Sequence, residues 1–78
     1  MRDICVIAAE VRVKWGAKVS PYAREYLLAM LQLRKITDMY YADTAASIVS
    51  YFLVNATGWR GEDARRIKAE LRGMLNAN

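Results

Sequence analysis

Apolar side chains recur at helical spacing in four stretches of the chain, set off from one another by glycine, proline or short polar runs. In the first, Ile4, Ile7, Ala8, Val11 and Trp15 share a helical face behind Asp3, a candidate cap. The same stretch carries a strand signal, because Val11, Val13 and Trp15 alternate with Arg12 and Lys14. Nothing downstream offers a clear second strand, which favours a helix to about residue 15, ended at Gly16.

The second stretch opens with Ser20 as N-cap and Pro21 at the first helical position, where a missing N–H costs nothing. A helical wheel gathers Tyr22, Tyr26, Ala29, Met30 and Leu33 on one face and Arg24, Glu25, Gln32 and Lys35 on the other. Leu28 falls among the polar residues and is a candidate contact point outside the core. The third stretch lies within residues 44–59, which hold no charged side chain. Asp38 or Asp43 is positioned to cap it, and Ile48, Val49, Phe52, Leu53 and Ala56 form its core face. Its back, Ser47, Ser50 and Val54 flanked by Tyr51, is small and uncharged, where a solvated helix normally carries charge. That back is covered by neighbouring helices or used in an interface.

Gly58 reads as the residue closing this helix, and Gly61 as the start of the last one, with Glu62 and Asp63 where the macrodipole favours acids. Ala64, Ile67, Leu71, Met74 and Leu75 then line one face, the clearest periodicity in the chain. Arg66 stands four residues from both Glu62 and Glu70. Arg65, Lys68 and Arg72 form a neighbouring basic stripe. The expected fold is all-α, a bundle of about four short helices spanning residues 1–78 as one small domain.

A chain of 78 residues buries only about 60–65% of its unfolded surface, so its stability is marginal unless something supplements the core. With one cysteine no internal disulfide can form, and without histidine no zinc-type ligand set exists, which leaves self-association as the open supplement. No metal or cofactor is expected. The lone thiol of Cys5 suits a reducing compartment. The apolar run Ile4–Ala9 is short and bounded by acids, unlike a secretory signal, and residues 44–59 fall short of the roughly 20 apolar residues of a membrane span. A soluble, cytoplasmic protein with no membrane partner is expected.

Chemistry narrows the function chiefly by exclusion. There is no histidine for general-base work, no glycine-rich phosphate loop and no evident carboxylate pair, and Cys5 sits in an apolar run without an electropositive setting. These features point away from catalysis. The net charge of +4 instead favours an acidic partner. The last two helices have the outline of a helix-turn-helix, but Val54 stands where a small residue is usual and two acids open the would-be recognition helix. A second basic cluster, Arg12, Lys14 and Lys18, could add phosphate contacts.

Aromatic residues are numerous for so small a chain, and tyrosine, tryptophan and arginine dominate protein–protein hot spots. Trp15 and Tyr26 read as core. Tyr40 and Tyr41 adjoin Met39, and one side of a turn cannot bury all three. Trp59 and Arg60, between two glycines, read as an exposed corner that anchors a partner, or else as a staple closing the turn. Leu28, Tyr51 and Val54 add apolar surface beyond what one small core absorbs, which favours association.

The segment "IVSYFLVNATGWRGEDARRIKAELRGML", residues 48–75, resembles segments of small proteins encoded by bacteriophages and mobile elements. In size and helical character the chain is also similar to some phage inhibitors, including certain anti-CRISPR proteins. The resemblance implies a small protein that works by stoichiometric binding, blocking a surface on a host complex, and it transfers no functional residue.

The expectation is therefore a protein–protein interaction module that meets an acidic host surface through Tyr40, Tyr41, Trp59, Arg60, Arg65, Lys68 and Arg72. The alternative is a small basic nucleic-acid-binding protein using helix 62–75. Third is a homodimer associating through Leu28, Tyr51 and Val54.

Overall fold

The computed structural model describes residues 2–77. Among these residues four α-helices form: α1 (Ile4–Trp15), α2 (Pro21–Met30), α3 (Ala45–Asn55) and α4 (Glu62–Asn76). A 3-10 turn, Gly16–Lys18, follows α1, and a two-stranded antiparallel hairpin, β1 (Met39–Tyr40) with β2 (Asp43–Thr44), precedes α3. The fold is thus mostly helical, and the purely all-α expectation is corrected by the hairpin. Two residues per strand are too few to leave a period-two pattern in the sequence.

The ambiguity over residues 4–15 resolves as a helix. Val11 and Trp15 are buried while Val13 is exposed, so helical spacing decides which valine enters the core. The first free amides of α1 are not capped by the Asp3 side chain. They donate to loop carbonyls instead: Ile4 N–H to Arg34 O and Cys5 N–H to Leu33 O, both at 2.8 Å. Gly16 ends the helix at φ 64°, a region that disfavours side chains.

Ser20 caps α2 as expected. Its hydroxyl accepts from Ala23 N–H at 3.2 Å and donates to Asn55 O at 3.3 Å, tying the start of α2 to the end of α3. The buried stripe of α2 is rotated from the expected face, with Ala23, Leu27, Ala29 and Met30 inside and Tyr22 75% exposed. Small Ala23 permits close approach between helices, whereas the tyrosines lie at the edge of the contact.

Two caps also differ from expectation. Thr44, not Asp38 or Asp43, caps α3, its hydroxyl accepting from Ser47 N–H at 3.1 Å. Asp38 serves the preceding loop, where one carboxylate oxygen accepts from Arg34 N–H and Lys35 N–H at 3.0 and 2.9 Å. Asp43 lies in β2 opposite Tyr40. At the other end, α3 stops at Asn55 and Gly58 has no positive φ. The chain turns through Ala56 and Trp59, both buried, with Trp59 N–H donating to Ala56 O at 3.0 Å. Gly61, at φ 110°, then opens α4.

Each helix packs against two neighbours: α1 and α3 both lie against α2 and α4. The core is wholly apolar among the described residues, built around Phe52, Ile4, Ile7, Met30, Leu33, Ile67 and Leu71. Trp15 stacks on Trp59 with centroids 5.5 Å apart and meets Phe52 edge-on at 6.3 Å, joining α1, α3 and the turn before α4. No described helix is long and apolar enough to cross a membrane.

Candidate interaction surface

Along the seam between α1 and α4, Glu10, Lys14, Asp63, Arg66 and Glu70 are spent on one another and on Arg2. Arg2 forks onto Glu70 at 2.6 and 3.0 Å and reaches Glu10 at 2.8 Å. Arg66 bonds Glu10 at 2.7 Å and Asp63 at 3.0 Å, and Lys14 approaches Asp63 at 3.7 Å. The expected pairing of Arg66 with Glu62 and Glu70 is therefore replaced. Glu10 of the neighbouring helix offers two oxygens, and Glu70 is held by Arg2. These contacts hold Glu10 well below the ordinary carboxylate value of 4.5, at about 2, with Arg66 the larger cause and Arg2 the second.

Helix α3 presents the opposite surface. Its inner face, Ala45, Ile48, Val49 and Phe52, is buried; its outer face, Ser50, Tyr51 and Val54, is exposed and uncharged. Val54 is 68% exposed. On the α2 side, Tyr51 stacks on Tyr26 with centroids 5.5 Å apart, and Tyr22 follows one turn away on α2. Asn55 Nδ2 donates to Tyr51 O at 2.8 Å, a contact within the helix that asks nothing of its neighbours.

The residues expected to meet a partner divide here. Trp59 is only 6% exposed: the corner is not exposed, and the staple reading is the one the fold adopts. Lys68 is committed to the same turn, its ammonium donating to Ala56 O and Trp59 O at 2.6 Å each and lying 6.0 Å from the Trp59 ring centroid. The Trp59 carbonyl of the turn thereby gains a cationic donor, and the Ala56 carbonyl gains a second donor beside the Trp59 N–H. Burial depresses the Lys68 pKa, and the nearby guanidiniums of Arg72 and Arg60 depress it further. Those two arginines thus share one region with Lys68. Arg60, Arg65 and Arg72 are exposed and form no ion pair among the described residues.

Tyr40 is half-buried against the core, and Tyr41 meets it edge-on at 4.8 Å. Tyr41 itself is 86% exposed and held at φ 55° at the hairpin tip, a strained conformation for a bulky residue. The hairpin adjoins the start of α3 and the Arg60–Lys68–Arg72 cluster its end. Eleven helical residues, about 16 Å, separate them. Leu28, grouped in sequence with Tyr51 and Val54, lies elsewhere, on the α1 side of α2 beside Arg12 and Arg24.

Among the described residues no group of three or more cysteine or carboxylate side chains is placed to hold a metal ion. Cys5 is half-buried on α1. Comparison with known proteins finds no matching family model, no similar curated protein and no similar solved structure.

Proposed function

We propose that the protein acts without catalysis, as a stoichiometric binder of a host protein, through the outer face of α3 and the groups at its two ends. The observation that carries this reading is the exposed, charge-free back of α3, bordered by Tyr22, Tyr26 and Tyr51. An apolar, aromatic centre with a cationic margin is the arrangement protein interfaces favour. Tyr51 and Val54 supply the centre, Tyr41 the hairpin end, and Arg60, Arg65 and Arg72 the cationic margin that steers towards an acidic surface. Trp59 and Lys68 act behind this surface by holding the turn, and Tyr40 by supporting Tyr41.

The finer form of the proposal is that binding occludes a surface on a host complex, the mode expected of a small phage or mobile-element protein. The lone thiol agrees with action in the cytoplasm. A nucleic-acid contact through α4 has less in its favour, since Arg66 and Lys68 are engaged within the chain and Glu62 and Asp63 open the helix.

A photo-cross-linking residue at position 54, with position 6 on the exposed side of α1 as control, tests the reading in nuclease-treated bacterial lysate. The salt should be near physiological, about 150 mM. A discrete adduct with one host protein from position 54 alone is expected. Adducts only between copies of the chain would replace the host partner with a homodimer. Adducts that nuclease abolishes would promote nucleic acid, and none at all would sink the proposal.

A further inference from the structure

A second surface lies on the α1 side of α2, away from the Tyr26–Tyr51 contact. The end of α1, the 3-10 turn and α2 enclose an open groove of about 310 Å³. Val19 and Leu27, both buried, form its floor, and half-exposed Leu28 forms a wall. Gly16 leaves the rim open: nothing lies within 4 Å of where its Cβ would stand, and its φ of 64° resists a side chain. Arg12 and Arg24 complete the lining.

Both arginines are exposed, and neither forms an ion pair or a side-chain hydrogen bond among the described residues. The acid of α1, Glu10, is turned to the opposite seam by Arg2 and Arg66, and no carboxylate lines the groove. Arg24 also lies near the start of α2, whose first turn has no acid and whose dipole disfavours a cation. Helix stability does not account for its charge.

We infer that this groove is a docking site for an acidic peptide segment of a partner protein, one carrying a bulky aliphatic side chain between carboxylates. The aliphatic group packs on half-exposed Leu28 above the floor of Val19 and Leu27, and the carboxylates meet Arg12 and Arg24, whose guanidiniums match carboxylate geometry. A single-stranded nucleic acid fits less well, because no aromatic ring lines the groove to stack a base. The site is separate from the α3 face, so either surface can fail without the other.

The probe is the peptide acetyl-Glu-Leu-Glu-amide, titrated into the isotope-labelled full chain and followed by backbone amide shifts. Saturable millimolar shifts confined to Gly16, Val19 and Leu28 and their neighbours are expected. Binding should weaken about tenfold with acetyl-Lys-Leu-Lys-amide, with acetyl-Glu-Ser-Glu-amide, or with the double variant Arg12→Gln/Arg24→Gln. Val54→Asp should leave it unchanged. Shifts that do not saturate, that scatter over the surface, or that are equal for the serine or lysine peptide would overturn the proposal. So would equal binding of oligothymidylate at these residues, or concentration-dependent broadening there without peptide, which would mark nucleic acid or a second copy as the occupant. The peptide series on the unmodified protein decides the matter even if the double variant does not fold.

Discussion

The seam between α1 and α4 and the outer face of α3 are two surfaces of the same small fold, built on opposite principles. On the seam Arg2, Glu10, Lys14, Asp63, Arg66 and Glu70 join in a chain of ion pairs, so partners within the molecule account for nearly every polar residue there. On α3 the exposed residues are Ser50, Tyr51 and Val54, all uncharged, and apart from the stack of Tyr51 on Tyr26 they face solvent. A side chain explained by its own fold needs no outside partner. Residues that the fold leaves uncovered and uncharged are where a binding role has physical grounds.

The sharpest way to break this contrast is to compare the two faces of α3. Phe52→Ala opens the core and should cost about 3–5 kcal/mol in denaturant unfolding. Next in size is Lys68→Met, which removes the cationic donor from the Trp59 carbonyl and leaves the Ala56 carbonyl with the Trp59 N–H alone. It should cost about 1–3 kcal/mol while sparing partner capture below the melting temperature. If capture is lost with stability unchanged, Lys68 belongs to the interface and the clamp reading fails.

The seam is tested by acid. Glu10 has a folded pKa of about 2 against an ordinary 4.5, so its contribution is fully present above about pH 4.5 and lost as pH falls towards 2. Melting temperature should therefore drop over that window, and Glu10→Gln should flatten the drop. It should not remove it, because Glu70 and Asp38 are also held below their ordinary values. An unchanged acid profile in the variant would mean that the seam is no more than solvated charge. The smallest expected effect is Val54→Asp, within about 0.5 kcal/mol of the parent. An unfolded variant would place Val54 in the core and erase the contrast with Phe52.

Much of this was legible in the residue pattern. Ile4, Ile7, Val11 and Trp15 on α1, Ile48 and Phe52 on α3, and Ile67 and Leu71 on α4 all enter the core as their spacing indicates. The Ser20 cap and the exposure of Leu28 were equally readable, whereas spacing alone did not decide whether Tyr51 and Val54 on the back of α3 are covered; packing leaves them exposed. Tyr22 misled because a wheel weighs bulk, whereas helix approach at α2 selected Ala23. Trp59 misled because flanking glycines suggest a corner, and only its stack on Trp15, 44 positions earlier in the chain, brings it inside. The groove beside Leu28 had a partial signal in Arg12, yet Lys14, counted in the same basic cluster, points to Asp63 instead.

Local periodicity, caps and charge composition were determined by the sequence itself, because helical spacing and backbone capping act over a few residues. Which charges cancel was decided only by tertiary structure. Arg66 prefers Glu10 across the seam to Glu62 and Glu70 on its own helix, because a neighbouring helix brings both carboxylate oxygens within reach. The same packing turns Lys68 into a clamp on Trp59 and leaves Arg12, Arg24, Arg60, Arg65 and Arg72 facing solvent. Twelve cations and eight acids set the net charge, but the distribution of surplus cations between a closed seam and open surfaces is a property of three-dimensional packing.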